Sequence, residues 1–277
     1  MDPIILSGLD TEKYRHPMET NAFERLRNTR GLQKIVNKFH EIGLEQNMKW
    51  QYLSSCVRVT NNNFSHLLFL SAKAAEILQV QYVPELYIRR SDHLEGISIG
   101  VEEPLIILSS EAVEKLSNQE LLFVLGREMA HIEHQHTLYK EIGLIFPELI
   151  EAFSVVTLGL SSILSAGLKY ALYNWDMTSE LTADRGGLLA CQDWQTCVSF
   201  LAKLAGWPQN YWSSINLAEF QDQARKFKDA QSSFDKIVNY MLGDNSFAIA
   251  RLKELIDWTD AGDYDALILK SKAFNKI

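Results

Sequence analysis

Cysteine is scarce in this 277-residue chain. Cys56, Cys191 and Cys197 are too few and too scattered for a disulfide framework or a cysteine-based zinc site, so a reducing, cytoplasmic setting is the simplest expectation. Basic residues are in deficit. The 27 Lys+Arg stand against 35 Asp+Glu, a formal net charge of −8 with a pI near 5.4. The basic footprint that phosphate binding needs is missing, and no nucleic-acid partner is expected. Met1 to Gly8 has no basic region ahead of its few apolar residues and does not read as a signal peptide. Long apolar runs are almost absent too. One stretch, Ala152 to Leu168, carries no formal charge, but it holds four serines, one threonine and two glycines, with Glu148 and Glu151 before it and Lys169 after it. A membrane span needs about 20 predominantly apolar residues. The expectation is therefore a buried or surface-dipping helix, which also makes peripheral membrane contact through Ala152–Leu168 an expectation to test.

What is present is ordinary globular composition: 47% hydrophobic and 22% charged residues, in a chain long enough to bury a core without staples. Apolar residues recur at helical spacing from Asn21 to Asn47, with Gly31 as the punctuation between two helices, and again from Phe64 to about Leu78. Leu86–Ile88 and Ile97–Ile99 read as strands, and Leu-Ile-Ile-Leu at 105–108 as a short apolar strand. Ser117-Asn118-Gln119-Glu120 is a capping box, opening a helix expected over Glu120–His136. From Met177 onward the pattern is helical, with breaks at Trp207-Pro208 and Gly243-Asp244-Asn245. The expected fold is α+β, mostly helical with a small sheet: an N-terminal helical region over 1–60 packed on a larger unit over 61–277.

The chemistry gathers on one helix. Residues 126–136 read Gly-Arg-Glu-Met-Ala-His-Ile-Glu-His-Gln-His, in which Glu128 and His131 are the last elements of a His-Glu-x-x-His zinc motif whose first His is Arg127. In the intact motif the i and i+4 imidazoles share a helix face and reach one metal, while the Glu takes a proton from metal-bound water. A guanidinium stays protonated and donates only, so Arg127 breaks the motif. His134 continues the stripe of 127 and 131, and a shifted metal site of His131, His134 and Glu180 is one expectation. Another is that Arg127 pairs with Glu180 or Glu128 and fills the space of the metal. Fifty residues on stands Glu180-Leu181-Thr182-Ala183-Asp184-Arg185-Gly186-Gly187-Leu188-Leu189, with Asp184 one turn beyond Glu180 and able to orient a histidine through its second nitrogen.

Together these segments resemble the HtpX-like and CAAX-prenyl-endopeptidase family of gluzincin zinc metallopeptidases, in particular its soluble bacterial members. The likeness extends to His16-Pro17, Gly43-Leu44-Glu45, Glu85–Ile88, Pro104–Ser110 and Asn245–Arg251. It implies a zincin-like domain with a small edge sheet, Leu105–Leu108 being the edge strand against which an extended peptide or unfolded segment pairs. It implies His131 and Glu180 as metal ligands, Glu128 as general base, Arg251 as a holder of substrate or transition state, and zinc as cofactor. The departures are Arg127, Leu94-Glu95-Gly96-Ile97 in the substrate-edge loop, and Asn245-Ser246 near Arg251. Three altered neighbourhoods point to a catalytically impaired pseudopeptidase acting as a binding or regulatory module; the alternative is an active metalloendopeptidase using the shifted site.

Overall fold

The computed structural model describes residues 2–146, 162–227 and 247–274. Three short helices come first: α1 (Pro17–Asn28), α2 (Leu32–Glu41) and α3 (Leu44–Leu53). The apolar periodicity predicts one interruption here, at Gly31, and there are two. Gly31 and Gly43 both take left-handed φ, 100° and 63°, directly ahead of α2 and α3, a conformation glycine enters at no steric cost.

Four strands form a single sheet: β1 (Cys56–Arg58), β2 (Glu85–Arg89), β3 (Gly96–Ile99) and β4 (Leu105–Ser109), in the order β1-β2-β4-β3. β2 and β4 run parallel, joined by a long connection, while β1 and β3 pair antiparallel at the two margins. This corrects the reading of Leu105–Leu108 as the edge strand. β4 lies inside the sheet with every residue buried, as its unbroken apolar run suits, and the edge nearest the later helices is β3. The bond from Ser109 N–H to the Glu95 carbonyl sets the alternation, so Ile97 and Ile99 bond towards β4 while Gly96 and Ser98 turn their peptide groups to the open side.

α4 (Ser65–Leu78) leads to β2, and α5 (Ser110–Lys115) follows β4. α6 (Asn118–Glu133) begins at the expected capping box: Glu120 N–H donates to Ser117 Oγ at 3.3 Å and Ser117 N–H returns to Glu120 Oε2 at 2.9 Å. It ends three residues earlier than the sequence suggests. His134 caps it, Gln135 takes φ of 57°, and a new helix, α7 (His136–Leu144), starts in a different direction. The remaining described helices are α8 (Ser162–Cys191), α9 (Trp194–Leu204), α10 (Leu217–Lys226), α11 (Ala248–Asp260) and α12 (Asp263–Phe274), with Trp207-Pro208 a break as expected. The fold is thus mostly helical with a small four-stranded sheet.

Sheet alternation divides the core. Leu86, Ile106 and Leu108 pack with Leu67, Phe123, Leu189, Phe200 and Leu252 from the helices, whereas Tyr87, Leu105 and Ile107 face Tyr52 and Leu53. A second cluster joins Leu26, Ile35 and Phe39 to Leu168, Leu172 and Trp175 of α8. Leu168, the last residue of the uncharged stretch, is therefore core; residues 152–161 and the expected break at Gly243-Asp244-Asn245 lie outside the described residues. Among the described residues no helix is long and apolar enough to cross a membrane.

Candidate metal centre and cavity

Small side chains set the site. α6 and α8 cross where a Cβ on Gly126 would lie 2.3 Å from Ala190 Cβ, and one on Gly186 2.4 Å from Ala130 Cβ. No larger residues fit there, so the backbones approach closely enough for residues 127 and 131 of α6 to meet 180 and 184 of α8. Each pair is spaced i, i+4 and so shares one helix face.

At this crossing Arg127, 6% exposed, lies between two carboxylates. Its Nε donates to Asp184 Oδ1 at 2.8 Å and its Nη2 to Glu180 Oε2. Burial works against its charge, but Glu180, Asp184 and Glu128 more than offset that and hold it protonated. Of the two partners expected for Arg127, Glu180 is one; its second bond goes to Asp184, not Glu128. Asp184 also departs from its expected role. It orients no histidine, because it accepts from Arg127 and from Arg251, whose Nε and Nη2 reach its two oxygens at 2.7 and 2.6 Å. Arg251 Nη1 stands 3.9 Å from Glu180 Oε2. The other oxygen of Glu180 takes Lys140, which donates at 2.7 Å and also pairs with Asp176 at 2.9 Å. Despite burial, the Glu180 carboxyl is held well below the usual range by Lys140, Arg127 and His131.

His131 Nε2 lies 3.3 Å from Glu180 Oε1, and its Nδ1 lies 2.9 Å from Nδ1 of His136. His136 Nε2 reaches Glu19 Oε1 at 3.2 Å, and Thr182 Oγ1 donates to the other Glu19 oxygen at 2.7 Å. His136, held by Glu19, thus fixes the ring of His131 with its Nε2 towards Glu180. The orienting task expected of Asp184 thus falls to His136 and Glu19. Little in the residue pattern signals this, since His136 turns back onto His131 only because Gln135 breaks the helix. His134 stacks on the His136 ring at 5.5 Å but bonds to neither His131 nor Glu180. Its Nδ1 meets Arg15 at 3.0 Å and its ring stands edge-on to Tyr14, on the side of the N-terminal segment. The site of His131, His134 and Glu180 is therefore not assembled.

Beside the crossing opens a cavity of about 1270 Å³, with Arg127, Glu128, His131, Lys140, Glu180 and Arg251 in its wall and β3 along one margin. A Cβ on Gly96 would meet Glu128 Cγ at 2.9 Å, so glycine lets the strand lie directly over the helix. Burial pushes the Glu128 carboxyl up to about 7, against the pull of Arg127. These residues do not fit zinc. The position expected to supply an electron pair supplies a cation, that cation is bonded to Glu180, the carboxylate expected as a ligand, and among the described residues no three His, Cys, Asp or Glu side chains are placed to hold a metal ion. Asn245-Ser246 lies outside the described residues.

Residues 70–248, which enclose α6 and most of the site, match the sequence model of Peptidase family M48. Over 275 residues the chain is 28% identical to the plastoglobule-localized metallopeptidase 48, chloroplastic, of Arabidopsis thaliana, covering 97% of this chain and 78% of that protein. No solved structure matches.

Proposed function

The chain belongs to peptidase family M48, a family of zinc metallopeptidases, and from that premise we propose that it is a catalytically impaired member: an HtpX-like, soluble bacterial-type scaffold that binds extended peptide without cleaving it. The observation that carries this reading is the Arg127 guanidinium bonded to Glu180 and Asp184 where the family's zinc chemistry needs a ligand. A buried guanidinium cannot be deprotonated to ligate and repels a dication. Glu128 and Arg251, which the resemblance implies as base and stabiliser, line the cavity, but Arg251 is tied to Asp184.

Binding rests on β3. Among the described residues no strand pairs with its outer side, and that side borders the cavity. The outward peptide groups of Gly96 and Ser98 supply the donors and acceptors that an added strand needs, and the cavity supplies space for alternate side chains. This is a peptide or an unfolded segment in an edge-strand groove, in a cytoplasmic setting consistent with three free cysteines.

The test has two arms. Elemental analysis of the purified chain is expected to find no stoichiometric zinc; one equivalent would overturn the reading and return the active alternative. A fluorescent extended apolar peptide is expected to bind, and N-methylation of alternate amides in one phase, not the other, is expected to abolish binding. Equal binding by both methylated peptides would refute pairing with β3.

A further inference from the structure

Glu180 has two oxygens, and a different cation sits on each. Oε2 takes Arg127; Oε1 takes Lys140 at 2.7 Å, and the same Oε1 lies 3.3 Å from His131 Nε2. We propose that Lys140 is the second half of a protein-borne substitute for a dication: Arg127 and Lys140 are the two cations bonded to Glu180, with Arg251 standing off at 3.9 Å and bonded to Asp184, and Lys140 alone is enough to keep zinc out once Arg127 is gone. This deepens the proposed function and rests on its reading of Arg127.

The argument is one of place and charge. The point between His131 Nε2 and Glu180 Oε1 is where a metal bridging these two would lie, and the Lys140 ammonium already holds that oxygen. Lys140 comes from α7, whose start is fixed by the left-handed Gln135, so its approach to Glu180 does not depend on Arg127. Asp176 anchors it from the far side at 2.9 Å, one turn before Glu180 on α8. Although burial opposes its charge, Asp176 and Glu180 hold Lys140 protonated. The rest of a ligand set remains. His131 keeps an oriented Nε2 through His136 and Glu19, and a histidine at 127 would share its helix face. One retained positive charge a few ångströms from a dication in a poorly solvated site should weaken binding by at least about a hundredfold.

The experiment uses full-length R127H, R127H/K140Q and R127H/K140R, each checked for folding by circular dichroism, with zinc affinity read by competition against a chromophoric chelator. The expected result is one zinc in R127H/K140Q, bound at least about a hundredfold more tightly than in R127H, with R127H/K140R behaving as R127H because the charge is retained. Equal affinity in R127H and R127H/K140Q overturns the inference, as does a folded R127H/K140Q that takes no zinc. Should the histidine substitution cost the fold, the two double variants refolded with and without zinc carry the same test: zinc restores R127H/K140Q alone, and restoration of both or of neither overturns it. Failure here is distinct from failure of the proposed function, whose metal-free reading is refuted by zinc on the unsubstituted chain and whose β3 pairing is refuted by the peptide arm.

Discussion

Substitution of Asp184 by Asn removes one charge and changes almost no volume. Asp184 is fully buried and accepts from two guanidiniums, at 2.8 Å from Arg127 and at 2.7 and 2.6 Å from Arg251. Asparagine keeps one acceptor oxygen and turns an NH2 donor towards a guanidinium, so two buried cations face a neutral group. Breaking a buried ion pair by removing one partner costs about 3–5 kcal/mol. For a chain of this size each kcal/mol lowers Tm by roughly 2–4 °C, giving a fall of about 6–20 °C. Glu180→Gln is the internal comparison. The Glu180 side chain is 25% exposed, and its two cations each keep another carboxylate, Asp184 for Arg127 and Asp176 for Lys140. Its loss should cost only about 1–2 kcal/mol once solvent screening is allowed for. Calorimetric Tm at pH 7, supported by urea denaturation, reads both. Adding Arg127→Met to the Asp184→Asn background should restore part of the loss, because it removes one of the stranded charges. A Tm fall of under about 2 °C for D184N, or a smaller fall than for E180Q, would refute the reasoning.

Glu141 gives a pH-dependent prediction. Its buried carboxylate accepts from Gly100 N–H at 2.6 Å, and burial, with Glu45 nearby, pushes its pKa up to about 7. The fold therefore favours the protonated form: its contribution is full below about pH 4.5 and is lost as pH rises through 7. Glu141→Gln, which keeps an acceptor for Gly100, should match the parent at pH 5 and exceed it by about 1–3 kcal/mol at pH 8, as urea denaturation at the two pH values will show. A difference that does not grow with pH would refute this. At the helix crossing, Gly186→Ala should destabilise by about 1–3 kcal/mol, since its Cβ would lie 2.4 Å from that of Ala130. Equal denaturation midpoints would show that the two helices can separate without loss.

Much of the site was legible because its signals are local. The spacing of Glu128 and His131, the capping box at Ser117 and the apolar run at 105–108 each read out over a few residues, and each lies in the element its pattern implies. Strand order was not legible: nothing in Leu105–Leu108 says which neighbour it gains on each side, and β4 enters between β2 and β3, parallel to one and antiparallel to the other. The end of α6 escaped because Gln135 carries no sequence mark of a left-handed turn, unlike Gly31 and Gly43. That one missed turn hid both His136 against His131 and Lys140 on Glu180. The position of Asp184 is legible but its partner is not, since a carboxylate one turn from Glu180 serves a histidine or an arginine equally well from sequence alone.

The sharing of Asp184 by Arg127 and Arg251 also bears on how this sequence can drift over generations. The two arginines are held through Asp184 and not by each other, so changing Asp184 strands two buried cations, whereas changing either arginine leaves Asp184 paired with the other. Either arginine can therefore change singly at less cost than the aspartate between them. Of positions 127, 184 and 251, on three separate helices, 184 should therefore tolerate the fewest changes for as long as both arginines remain.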